Sequence, residues 1–292
     1  MINGIKTDAS KIILGTAQIG MPYGINNRWG KPSIPEAINI LENAYEAGVG
    51  ILDTALVYGE AFQIIGEYHR HHPEFKVNSK FRKSEVGNNL VDVVLLNLEM
   101  MGIRQLECLM FHHFTDSKDH AFNDMMRWLK SAGFAKKIGI SIYTNEEFRR
   151  AIEDGTYDVI QFPFNLLDNE RHREALMFLA NGSGIELHAR SVFLQGLLFM
   201  DPENIPEKLI GLKPDLAKIR ELASISNIDI CSIALGYVKS FPEINNILIG
   251  VETLSQLKTN IDCLKYEIPP QLKRQIGSIN VLEKDLLNPV NW

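Results

Sequence analysis

The sequence predicts an α/β protein, a (β/α)8 barrel formed as a single domain by residues 1–292. Three observations carry this expectation. Eight short apolar runs, each of strand length, recur along the chain. Amphipathic segments of helical length separate them, and strands joined through helices pair in parallel. Finally, 292 residues with no Pro-rich or Gly/Ser-rich linker suit one barrel better than two domains.

The strands read as residues 11–15, 49–53, 75–80, 106–112, 137–141, 159–162, 185–189 and 246–249. Helices are expected over 35–47, with Ser33 as cap, Glu36 in the first turn and Gly48 as stop. Further helices read as 61–69, one long helix 84–101 stopped by Gly102, then 119–132, 145–154 with Asn145 as cap, 171–180, 215–226 and 230–239. A last helix starts near Ser255. The stretch 195–214 is long for a barrel loop, and such loops are usually functional.

Composition narrows the function. The net charge is −6 and basic residues are dispersed, which argues against a nucleic-acid partner. The basic run Tyr68-His69-Arg70-His71-His72 reads as a solvated helix end. Cys108, Cys231 and Cys263 are widely spaced, which argues against a disulfide framework or a zinc site. Met1 to Gly4 carries no leader pattern and no apolar run reaches membrane-spanning length. A cytoplasmic protein without membrane or metal is expected; the oligomeric state is left open.

In such a barrel, polar residues at strand C-terminal ends are the functional candidates. In order they are Asp53, Lys80, His112, Ser141 and Gln161. Tyr58 follows Asp53 closely. A phenol beside the Lys80 ammonium is a plausible acid, and the cation is expected to lower its pKa. Asp53 would hold Lys80 through a charge-assisted hydrogen bond. His112 and the adjacent His113 would point to opposite sides of a strand, and parity, with His112 on the side of Cys108 and Met110, does not by itself choose between them.

These residues resemble the aldo-keto reductase superfamily along nearly the whole chain. The matching pieces are Leu14-Gly15-Thr16-Ala17, Leu52-Asp53-Thr54-Ala55 with Tyr58-Gly59, Ser79-Lys80-Phe81, and Met110-Phe111-His112. They continue with Gly139-Ile140-Ser141, Ile160-Gln161-Phe162-Pro163-Phe164-Asn165, Gln195-Gly196-Leu197-Leu198, and Ile249-Gly250-Val251-Glu252-Thr253 with Gln256 and Asn260. The resemblance implies reduction of an aldehyde or ketone with a nicotinamide cofactor, NADPH with NADH as the other choice. It implies a tetrad of Asp53, Tyr58, Lys80 and His112, with Tyr58 as proton donor. Ser141 and Gln161 would hold the nicotinamide carboxamide, and the segment from Gly250 through Val251, Glu252, Thr253 and Gln256 to Asn260 would hold phosphate and adenine at a helix N-terminus.

Four positions depart from the family pattern. Ile142 replaces an Asn, and Thr259 replaces a Glu. Arg190, followed by Ser191, replaces the aromatic residue that stacks on nicotinamide, so it would stack on the ring or bind an anion. Glu252 would repel the 2′-phosphate of NADPH, which Lys258 could offset. The chain begins close to its first strand, leaving little room for an N-terminal hairpin. Tyr23, Trp29 and Phe114 would line the substrate pocket and suit a sugar or aryl carbonyl. The competing reading is a cofactor-binding barrel without catalysis, which has no need of Tyr58. A metal-dependent hydrolase finds no ligand set at the strand ends.

Overall fold

A computed structural model describes residues 8–292. The first residues read for a leader, and most of the chain ahead of the first strand, lie outside that span. The eight strands are β1 (Ile12–Gly15), β2 (Ile51–Ala55), β3 (Lys76–Phe81), β4 (Leu106–Phe111), β5 (Ala135–Ser141), β6 (Val159–Pro163), β7 (Glu186–Arg190) and β8 (Ile244–Gly250). They form a closed barrel in sequence order, every pair parallel, with β8 returning to β1. Closure leaves no strand edge unpaired.

The helices between strands are α1 (Ala17–Gly20), α2 (Ile34–Glu46), α3 (Ala61–His69), α4 (Lys83–Val86), α5 (Leu90–Met101), α6 (His120–Ser131), α7 (Asn145–Asp154), α8 (Glu170–Gly182), α9 (Lys213–Ser226), α10 (Ile230–Lys239), α11 (Leu254–Cys263) and α12 (Pro270–Gly277). Their apolar faces and the outward strand residues make one continuous core. The barrel interior holds a separate small cluster of Cys108, Met110 and Val159. Gly139 is required there: a Cβ would meet Met110 Cε at 2.8 Å and Cys108 Sγ at 2.9 Å. No helix among the described residues is long and apolar enough to cross a membrane.

Two local expectations fail for identifiable reasons. The long helix 84–101 is two helices, because Gly87 takes φ 55° and breaks the turn between α4 and α5. Asn145 does not cap α7; Thr144 does, accepting from the Glu147 N–H while the Glu147 carboxylate returns to the Thr144 N–H. A capping box spans three residues, and Thr144 to Glu147 satisfies it. The long stretch 195–214 is built largely of short 3-10 turns, Leu194–Phe199, Pro202–Asn204 and Glu207–Leu212.

Candidate active site

Parallel register sets the site. Ala55 lies beside Lys80, Lys80 beside Met110, and Ser141 beside Gln161. Asp53, Lys80, His112, Ser141 and Gln161 therefore reach one rim of the barrel, and all are buried. They line a cavity of about 870 Å³ together with Tyr58, Arg190, Ser191, Gly250, Glu252, Thr253, Gln256 and Asn260. That volume accommodates a cofactor-sized ligand.

Tyr58 stands on the turn that follows β2. Its N–H donates to Ala55 O at 3.0 Å, and its carbonyl accepts from the Ala61 N–H that opens α3. The turn sits against α1, where a Cβ on Gly20 would fall 1.9 Å from Tyr58 O. Glycine is needed there to let the two backbones meet.

Lys80 Nζ donates to Asp53 Oδ1, and Gln161 Nε2 donates to Asp53 Oδ2 at 2.9 Å. Lys80 Nζ lies 5.5 Å from the centre of the Tyr58 ring. The Tyr58 and His112 rings meet edge to face, 6.2 Å apart. The lowered tyrosine pKa is not what this arrangement produces. Burial, followed by the Asp53 carboxylate, drives the Tyr58 pKa well above the ordinary phenol range. Lys80 is already tied to Asp53, so the anion offsets the cation that was expected to draw the proton off. His112 moves the other way: burial first, then Lys80 and Arg82, push it down to about 2. The imidazole is neutral at any physiological pH.

His113 does not reach the cavity. Its ring lies between His112 and Tyr143, at 5.5 and 6.3 Å. Val251 is buried and Phe114 packs against the core, so neither lines the cavity. Tyr23 and Trp29 do line it. Sequence reasoning missed Gln18, Arg82, Tyr143, Phe193, Phe199 and the late residues Pro289 and Val290. These come from loops far apart in sequence, and only for Arg82, directly after the Lys80 strand, was a positional signal present.

Arg190 is held against an aromatic ring of the protein itself. Its guanidinium lies on the Tyr143 ring, 4.1 Å from the centroid, and donates to Ile142 O at 3.0 Å and Ser191 Oγ at 3.1 Å. The chain then runs with positive φ through Ser191, Leu194, Gln195 and Gly196, backbone that non-glycine residues rarely adopt. Asn26 secures it, through its N–H to Gln195 O and its amide to Gly196 O.

At the far end α11 is capped by Thr253, whose hydroxyl accepts from the Gln256 N–H. Glu252 is half-buried and lines the cavity, and its carboxylate and N–H engage both ends of the Gln256 amide. The widely spaced Cys231 and Cys263 also come together here, with Asp229, their ligand-type atoms within 4.8 Å of one another. Cys231 Sγ donates to Asn260 Oδ1 at 3.4 Å.

A nicotinamide dinucleotide fits these groups. Gln161 Oε1 is buried without a hydrogen-bond partner and belongs to a residue lining the cavity. It is an acceptor suited to a carboxamide N–H. The sequence profile of the aldo/keto reductase family matches residues 11–281. The chain belongs to the aldo/keto reductase family. This aldo/keto reductase is 22% identical to a D-threo-aldose 1-dehydrogenase of a Pseudomonas species, over 94% of this chain and 98% of that one. It is 23% identical to an NADH-specific methylglyoxal reductase of Escherichia coli K12, over 89% and 91%. Its fold matches an aldo-keto reductase of Bacillus halodurans in its holo form, with TM-score 0.75, 18% identity and 92% of each chain covered. As a member of this family the chain is an oxidoreductase that uses a nicotinamide cofactor on a carbonyl group.

Proposed function

We propose that Tyr58 is the proton donor in this carbonyl reduction, with Asp53, Lys80 and His112 as the rest of the tetrad. The observation that carries the reading is the contact set around one half-buried phenol on the cavity wall: Lys80 Nζ 5.5 Å from the ring centre, the His112 ring edge to face with it, Asp53 holding Lys80. The raised pKa keeps Tyr58 protonated and ready to donate. It does not prevent the step, because hydride added to the carbonyl carbon leaves an alkoxide oxygen, a stronger base than a phenolate. Neutral His112 donates a hydrogen bond to the same oxygen and orients it, with no proton of its own at stake. The Asp53–Lys80 pair positions the ammonium beneath the ring, where it stabilises the phenolate that forms.

The cofactor supplies hydride when bound. Ser141 and Gln161 would hold its carboxamide, with Arg190 and Ser191 beside them. Gly250, Glu252, Thr253, Gln256 and Asn260 would take phosphate and adenine at the α11 N-terminus, with Val251 packing beneath. The family resemblance implies NADPH with NADH as the other choice, and Glu252 supports NADH: it lines the cavity, and no Lys or Arg of α11 does. The NADH specificity of the Escherichia coli methylglyoxal reductase supports the same choice. The substrate is a small aldehyde or ketone. The free thiols Cys108, Cys231 and Cys263 fit a reducing compartment, the cytoplasm.

The test is steady-state reduction of a carbonyl panel with NADH and NADPH. Tyr58→Phe should lower kcat by roughly 10²–10⁴-fold while fluorescence titration still shows cofactor bound. Turnover undiminished in Tyr58→Phe would remove Tyr58 from the mechanism.

A further inference from the structure

The charges lining the cavity do not balance at its catalytic end. Lys80 is matched by Asp53, and Glu252 sits at the α11 end with Gln256. That leaves Arg190, which has no matching carboxylate among the described residues, and Arg82, which is paired with Glu85; both line the cavity. Arg190 has no carboxylate within ion-pair distance among the described residues, and its two donated bonds go to Ile142 O and Ser191 Oγ. Its remaining N–H groups have no protein partner there. The Arg82 Nε is ion-paired with Glu85 Oε1 at 3.4 Å but makes no hydrogen bond, so its donors are not used up by that pair.

Beyond Glu85, the neighbouring carboxylates are engaged elsewhere. Asp116 accepts from the Lys83 N–H, and Glu147 accepts from the Tyr143 and Thr144 N–H groups. Both guanidinium groups lie close enough to act electrostatically on Tyr58 and on His112. Arg190 is held in advance by Tyr143 stacking and a backbone carbonyl, which lowers the cost of ordering it around a ligand. A planar fork of N–H donors matches an oxyanion, singly or in pairs.

We propose that the carbonyl substrate carries an oxyanion, a carboxylate or a phosphate, and that Arg82 and Arg190 hold it beside the reacting carbonyl. The proposal rests on Tyr58 and His112 marking the carbonyl end of the cavity. It makes Arg82 and Arg190 specificity-determining residues. Their charge selects a substrate whose anion would be poorly accommodated if the site were neutral.

The experiment compares matched substrates: 4-carboxybenzaldehyde against its methyl ester, and glyceraldehyde 3-phosphate against glyceraldehyde. The wild type should show kcat/KM at least about tenfold higher for the anion in one pair, and which pair does so separates carboxylate from phosphate. Arg82→Gln and Arg190→Gln should each lower that ratio by about tenfold, the order expected when a charge-assisted hydrogen bond is lost, and chiefly through KM. Equal or better turnover of both neutral partners, or a ratio unmoved by either variant, overturns the proposal. An Arg190→Gln variant that weakens cofactor binding and both members of a pair alike assigns Arg190 to the cofactor and overturns its part. Should no carbonyl be reduced with either cofactor, the Tyr58 reading fails instead. Calorimetric titration of the free protein with benzoate and with inorganic phosphate then decides: binding lost in Arg82→Gln supports the oxyanion site, and no binding of either overturns it.

Discussion

A single ionisable side chain can set the acid limit of this molecule. His112 is held near 2 in the folded state against an ordinary value of 6.5. Its folded pKa is depressed, so below 6.5 the unfolded chain binds a proton that the folded one refuses, and stability falls as the pH is lowered. The slope for one such group is about 1.4 kcal/mol per pH unit. Urea unfolding at pH 6.5 and 5.0 should therefore show wild type losing about 2 kcal/mol more than His112→Asn; equal losses would show that His112 is not buried as a neutral ring. The tyrosine beside it shows where residue-level reasoning fails. The proximity of Lys80 was legible in the sequence, but the sign of the shift was not, because burial and the Asp53 carboxylate are properties of the assembled site.

At the scale of elements, two contacts fix the site and the helices around it. Gly20 lets α1 press its backbone against Tyr58 O, leaving no room for a Cβ. Gly20→Ala should shift the Tyr58 turn and lower kcat far more than it lowers helix content, read by kinetics beside circular dichroism. The cap of α7 separates two neighbours in the sequence. Thr144→Ala should cost about 1 kcal/mol, measured by urea unfolding, whereas Asn145→Ala removes no cap and only the bonds Asn145 makes to His172 O and Arg173. The strands and most helices were legible because hydrophobic period and capping residues are local. The break at Gly87 was not, since a glycine inside an apolar-periodic segment has the same local signal whether the helix passes through or stops.

For the molecule as a whole, cofactor choice becomes a stability measurement. A ligand that binds only the folded state adds about 2.7 kcal/mol at a hundred times its Kd. At equal concentration NADH should raise the melting temperature more than NADPH, and Glu252→Gln should narrow the gap; a larger rise with NADPH in the wild type would reverse the cofactor reading. The sequence by itself determined the barrel and the identity of the tetrad candidates, because strand period, helix caps and strand-end chemistry are written in short stretches of chain. Only the tertiary structure decided how those candidates act on one another. It set the direction of the Tyr58 shift, placed Glu252 on the cavity wall, excluded His113, Val251 and Phe114 from the lining, laid Arg190 on Tyr143 and brought Arg82 to the same cavity. The reason is physical: burial, charge pairing and cavity shape depend on groups that meet across eight strands and their loops, and no local stretch of sequence specifies which of them will be neighbours.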